Sequence, residues 1–210
     1  ILGRTCDRPC EPACRRSRVE GQGGAPPEPV AICRLKRVAA DMKGDISARM
    51  PQIAEPNGLR VACVGAGPAS LTVARDLAPL GYAVTVFDSE PKAGGFIRSQ
   101  IPRFRLPETV IDEETDQILN LGVDFRSGHP ITSMKDLLTQ GFDAVFVGCG
   151  APRGRDLDLP GRSDIKSNIH IGIDWLASVS FGHITSVGRR VIVLGGGNTA
   201  MDCCRSARRL

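Results

Sequence analysis

The chain has 210 residues, 41% apolar and 24% charged, with a net charge of +4 at neutral pH. That balance suits an ordinary globular protein of one or two domains with a sizeable core. The basic residues are dispersed, and their densest runs, 15–18 and 205–209, carry no interleaved aromatics, which speaks against a nucleic-acid partner; no apolar run approaches the ~20 residues that insert in a membrane.

The chain opens inside a Cys-rich stretch, without an initiating Met or a signal peptide, and it stops within a helical pattern. It reads as a piece of something longer, truncated at both ends. Cys6, Cys10 and Cys14 are evenly spaced, and Cys33 follows. Thiolates grouped this way are soft ligands suited to an iron–sulfur cluster or to zinc, with a set of unliganded thiols as the plain alternative. Three thiolates leave a fourth position to Cys33 or to a cysteine upstream of Ile1. Residues 21–29 are turn-rich. Val30–Lys43 reads as an amphipathic helix with Ile32, Leu35, Val38 and Ala39 on one side. Residues 44–58, with Pro51 and Pro56, read as a linker.

From Arg60 onward strands and helices alternate. Strand 60–64 leads to helix 68–80, which Gly81 ends, and to strand 83–87. Gly94 and Gly95 form a loop. A helix over 106–121, a short strand near 123–125, a short helix over 134–139 and a buried strand over 144–147 follow. Beyond a Gly/Pro/Asp-rich crossover come a helix over 173–180, a strand over 190–194 and a helix over 199–209. This order predicts an α/β fold of doubly wound, Rossmann-type parallel sheets behind a small helical Cys-rich segment. The expected division is 1–58, 59–155 and 156–210. Cys63, Cys149, Cys203 and Cys204 read as small buried core residues.

Two strand-to-helix turns carry the chemistry. The first, from Gly65 to Ser70, has Gly65 for the tight turn and Gly67 for close approach of backbone to a pyrophosphate seated on the helix start. Its third small position is Ser70, so the helix is expected to sit slightly farther from the strand. Asp88 ends the next strand, roughly where an acidic side chain accepts bonds from ribose hydroxyls and repels a 2′-phosphate. The second turn has Gly195, Gly197 and Ala200 in the same three roles. Two such turns in one chain suggest two nucleotide sites facing one another, the plan of a flavin enzyme that takes hydride from a nicotinamide. Such turns also belong to a reducing cytosol, which favours metal over disulfides for the first cysteines. His129, His170 and His183 stand alone, and no hydrolase, zinc-protease or P-loop pattern is present. Hydride transfer to a flavin needs no protein acid or base of its own.

The run Gly3–Cys6 with Cys10–Cys14, then Pro29–Ile32 and Leu35–Arg37, resembles the iron–sulfur segment of the glutamate synthase small-subunit family, whose organisation the N-terminal half of dihydropyrimidine dehydrogenase shares. The turn 65–70, Gly94–Gly95 with Ile101–Pro107, Phe142–Gly148 and Val191–Cys203 extend the resemblance over nearly the whole chain. It implies that Gly65, Gly67, Pro68, Ala69 and Ser70 contact the FAD pyrophosphate and that Asp88, where the family usually has Glu, binds the ribose. Gly95, Phe96 and Arg105 would line the flavin, and Ile131 the adenine or backbone side. Gly196, Gly197, Asn198 and Thr199 would meet NADP(H) or NAD(H). Cys6, Cys10 and Cys14 would ligate a 4Fe–4S cluster. Lys36 stands where the family often has a Gln or Glu ligand, and Cys33, one helical turn earlier, would substitute. The resemblance implies a cytoplasmic electron-input subunit that passes electrons between NAD(P)H and FAD and on to a catalytic partner subunit. A docking subunit without productive nicotinamide binding and a zinc-clasped Rossmann regulator are the rival readings.

Overall fold

The computed structural model describes residues 1–19, 26–157, 160–162, 164 and 166–210. The loop expected at 21–29 lies outside the described residues up to position 25, and the crossover after Pro152 lies partly outside them. The chain divides into two compact units, Ile1–Pro51 and Gln52–Leu210.

In the first unit a short helix α1 (Leu2–Thr5) packs on α2 (Ile32–Asp41). Their backbones approach so closely that a Cβ on Gly3 would stand 2.6 Å from the Arg37 nitrogen. Arg4 closes the contact, its Nη2 donating to both carboxylate oxygens of Asp41 at 3.1 Å. Burial would raise the Asp41 carboxyl, but Arg37 and Arg4 together hold it below the usual carboxylate range. This packing selects a different side of α2 from the one the apolar pattern marks. Cys33 is the buried residue, while Leu35 and Val38 remain more than half exposed.

The second unit is built on a four-stranded, wholly parallel sheet. Strand β1 (Arg60–Val64) runs into helix α3 (Pro68–Leu77), which continues as a 3-10 turn over Ala78–Leu80 and closes at Gly81 in the left-handed conformation. Strand β2 (Ala83–Phe87) pairs in register with β1, from Arg60 opposite Ala83 to Val64 opposite Phe87. A short helix α4 (Phe96–Ser99), a long helix α5 (Glu108–Leu119) and strand β3 (Asp124–Arg126) follow. Helix α6 (Met134–Leu138), begun by a Ser133 side-chain cap, leads to β4 (Ala144–Val147). The strand order is β3-β2-β1-β4. β1 and β2 lie inside the sheet with both faces covered, which is why their apolar runs are continuous rather than alternating. Ala62, Phe87 and Leu137 form one core cluster, with Val64, Ile131, Phe142 and Val145 packed around it.

Two expected strands behave differently. β4 forms, but as an edge strand laddered only to β1, so it is half exposed rather than buried. Residues 190–194 form no ladder at all, and Ile192 is 87% exposed. A strand exists by pairing, and no described segment pairs with this one. The helices around it do form. α7 (Gly172–Ser180) and α8 (Asn198–Ala207) pack together over Trp175, Leu176 and Cys203.

Arg98 ties the loop before α4 to α5. The side chain is only 5% exposed, with Nε donating to the Ala93 carbonyl at 2.7 Å, Nη1 to Glu108 at 3.1 Å and Nη2 to Asp112 at 2.8 Å. Burial would raise both carboxyls. Lys92 and Arg103 at Glu108, and Arg98 and Lys92 at Asp112, outweigh it and lower them. A lowered carboxyl adds stability above its unfolded pKa and loses it as pH falls through its folded one. Arg98→Met is therefore expected to cost about 2–3 kcal/mol at neutral pH, less than a fully buried pair because the carboxylates are partly exposed. Urea unfolding across pH should show the gap between native and variant chains narrowing only below about pH 4.

Candidate functional site

The first glycine turn sits where β1 meets α3, between the carboxyl ends of β2 and β4. Gly65 has φ +92, and a Cβ there would stand 2.6 Å from the Gly148 carbonyl oxygen just beyond β4. Its N–H donates to the Phe87 carbonyl at 2.8 Å, so the turn begins as a continuation of the β1–β2 ladder. Gly67 caps α3 in an extended conformation, φ −78 and ψ 177, and its carbonyl accepts the first helical bond from Leu71 at 3.0 Å. Pro68 has no N–H to leave unsatisfied, which makes it a good first residue for the helix. Ala69 and Ser70 present the N–H groups that the first turn of a helix leaves without intrahelical acceptors, at its positive end.

Two further segments close on this turn. The Gly94 N–H donates to the Ala66 carbonyl at 2.8 Å. Next to it Gly95, at φ +54, comes so near that a Cβ would stand 2.7 Å from the Gly67 Cα. Asp88, just beyond β2, accepts from the Ala66 N–H at 2.5 Å through one oxygen and from the Glu90 N–H at 2.9 Å through the other. The acidic residue is thus where the spacing places it, with its carboxylate drawn onto the turn.

Ser70 is fully buried, and its Oγ is the buried side-chain oxygen or nitrogen left without a hydrogen-bond partner among the described residues. Room for its hydroxymethyl comes from the neighbouring strand's exit, because a Cβ on Gly148 would stand 2.3 Å from that Oγ. A hydroxyl orphaned beside a helix start calls for a partner from outside the polypeptide, a bound group or a water. Bare backbone at Gly65, Gly67 and Gly95, free first-turn N–H groups and the orphaned Ser70 Oγ together fit the diphosphate of a dinucleotide. Phe96 is about half exposed at the start of α4, beside this turn. Ile131 instead packs on the Ala62–Phe87–Leu137 core, and the Arg105 guanidinium pairs with Asp202 on α8.

The second turn repeats the first. Gly195 has φ +121, and Gly197 caps α8 at φ −79 and ψ 177. Its carbonyl accepts from Met201 at 3.0 Å, as that of Gly67 does from Leu71. Gly196, Asn198 and Thr199 lie exposed around it. Asp202, on the first turns of α8, is 5% exposed.

The cysteines divide unevenly. Cys63 and Cys203 are buried, and burial pushes both thiols up to about 11, leaving them inert. Cys149, just beyond the edge strand β4, is exposed and Cys204 only half-buried, unlike the core residues expected. In the first unit the Cys6 and Cys33 thiols lie near enough to shift one another's titration. The Arg8 backbone N–H pulls the Cys6 thiol down, and burial pushes Cys33 up. Cys14 turns to the backbone N–H groups of Val30, Arg16 and Ser17, and Cys10 is exposed. Among the described residues no group of three or more His, Cys, Asp or Glu side chains is placed to hold a metal ion. The expected ligand set is therefore not assembled, although two of its members meet.

Sequence reasoning passed over Arg98 and Gly148. A signal for Arg98 exists in Glu108 and Asp112, like charges one helical turn apart that call for a cation between them. Gly148 could have been found only by knowing that Ser70 needs its room.

Residues 59–210 match the family described as pyridine nucleotide-disulphide oxidoreductase. The chain is similar to the NADPH-Fe(3+) oxidoreductase subunit beta of Geobacter sulfurreducens, 39% identical over 100% of this chain and 31% of that protein. It is also similar to the glutamate synthase (NADPH) small chain of Mycobacterium tuberculosis, 33% identical over 100% of this chain and 44% of the relative. It thus spans less than half the length of either. Among solved structures, FprA of Mycobacterium tuberculosis in complex with NADPH shares the fold at a TM-score of 0.61 and 23% identity, over 72% of this chain and 36% of that one. The matched span takes in the whole sheet and both glycine turns, and on that match the chain belongs to the pyridine nucleotide-disulphide oxidoreductase family.

Proposed function

We propose that this chain is the electron-input part of a flavin and iron–sulfur oxidoreductase, working between NADPH or NADH and a catalytic partner subunit in a reducing, cytoplasmic setting. One observation carries the reading: two glycine turns of the same geometry cap α3 and α8 within one compact unit. When bound, FAD would supply the chemistry of taking hydride from a nicotinamide and giving up electrons singly. The chain's own residues do the holding. Gly65, Gly67, Pro68, Ala69 and Ser70 receive the FAD diphosphate, Asp88 its ribose, and Gly95 and Phe96 flank the flavin. Gly196, Gly197, Asn198 and Thr199 receive the nicotinamide dinucleotide. Residues 59–155 would form the flavin part and 156–210 the nicotinamide part. The relatives named as a subunit beta and a small chain support a role within a larger assembly. No described helix is long and apolar enough to cross a membrane.

The iron–sulfur part, assigned to Cys6, Cys10, Cys14 and Cys33 over residues 1–58, rests on sequence spacing and on the meeting of Cys6 with Cys33. Among the described residues these side chains do not by themselves complete a cluster site.

Added NADPH is expected to bleach the flavin absorbance at about 450 nm when the native full-length protein is purified without air. Bound flavin that stays coloured would favour the non-catalytic docking subunit, and a protein that takes up no flavin would overturn the reading. Gly95→Ala forces a side chain onto a positive φ and against Gly67, at a cost of about 1–3 kcal/mol. Titration with FAD should show binding weakened by about ten- to a hundredfold. Metal analysis of the same native protein should find iron with labile sulfide, whereas zinc alone points to the clasped regulator.

A further inference from the structure

Between α4 and α5 the chain makes a tight turn in which Arg105 and Leu106 both donate to the Pro102 carbonyl, at 2.8 and 3.1 Å. Ile101, Pro102 and Leu106 are buried and anchor it, while the three residues between them reach outward in succession. All three end on the helices that carry the second glycine turn. Arg103 donates twice to the Ser180 carbonyl at the end of α7, at 3.2 and 2.7 Å, while its Nη1 pairs with Glu108. Phe104 is covered by two guanidiniums from α8 and its end, Arg205 at 4.8 Å and Arg209 at 4.0 Å from the ring centroid. Arg105 pairs with Asp202, whose side chain is 7% exposed.

Asp202 lies one helical turn into α8 from Asn198, beside the second glycine turn. At its other end the strap continues through α4 to Gly95, which rests on Gly67 of the first turn. One short run of chain therefore joins the two nucleotide turns mechanically. A charged pair this enclosed has a defined geometry, because each partner's remaining desolvation is relieved only in that arrangement.

We infer that Arg103, Phe104 and Arg105 form a strap whose Arg105–Asp202 pair sets the position of the nicotinamide-binding helix against the flavin loop. Arg105 and Asp202 are positioning residues: they act through α8 rather than on either cofactor. The inference rests on the function proposed above. It differs from a flavin-lining role for Arg105, whose guanidinium is committed to Asp202.

The test uses the native full-length protein with FAD and four variants: Asp202→Asn, Arg105→Gln, Arg105→Lys and the Arg105→Gln/Asp202→Asn double. A misplacement of about an ångström slows transfer by about ten- to a hundredfold. Stopped-flow reduction by NADPH should slow by that factor in both neutral single variants, with FAD and NADPH dissociation constants within about twofold of native. The double variant should be no slower than either single, and Arg105→Lys should recover most of the rate. In flavin-free protein, amide hydrogen exchange over 102–106 should quicken in Asp202→Asn and stay native-like in Arg105→Lys. Native rates in both neutral variants overturn the inference, as does a rate loss matched by equal losses of FAD affinity and melting temperature. Should NADPH fail to reduce the native flavin, the functional reading falls, and the exchange measurement alone then judges the strap: unchanged exchange in Asp202→Asn overturns it.

Discussion

At Gly67 and Gly95 two backbones come closer than any side chain would permit. The second unit is arranged around that approach. The β1–β2 ladder delivers the first turn with its N–H groups facing out, and Asp88 at the end of the neighbouring strand closes on Ala66. Arg98 holds the Gly94–Gly95 loop in place by gripping Ala93 from behind and α5 from the side. The cation itself touches neither turn, yet the loop's height above Gly67 is set by its three contacts. Buried ion pairs are poor sources of stability, but they are good at selecting one arrangement among several, and here the selected arrangement is the floor of the proposed nucleotide site.

Much of this could be read from the residues. The boundaries of β1 and β2 follow from continuous apolar runs bounded by Gly and charge, and both glycine turns from their spacing. What escaped was whatever depends on a neighbour far along the chain. The apolar stripe on α2 predicts a buried face through Leu35 and Val38, but the face that α1 covers is chosen by Gly3 and by Arg4 reaching Asp41. β4 has the composition of an inner strand and the position of an edge one. Residues 190–194 have strand composition and no ladder partner among the described residues. The pairing of Arg105 with Asp202 joins residues almost a hundred positions apart, beyond the reach of any local pattern.

The two turns show how little of a strand-turn-helix motif needs the strand. Gly67 and Gly197 adopt nearly the same dihedrals, and each accepts its first helical bond at 3.0 Å. One stands on a finished ladder and the other on an unpaired segment. The turn's shape is therefore local, dictated by a positive φ at the first glycine and an extended cap at the second. Its placement is not local: for α8 it comes from packing on α7 and from the contacts of residues 103–105.

Ser70 and Gly148 are an interlocked couple, one supplying bulk and the other absence. A side chain at Gly148 would require the Ser70 hydroxymethyl and the Phe146 ring to shift, and trimming Ser70 to glycine would leave a void against a bare Cα. The two sites are thus expected to drift through evolution as a correlated pair, and anyone re-engineering this turn has to treat them as a single locus.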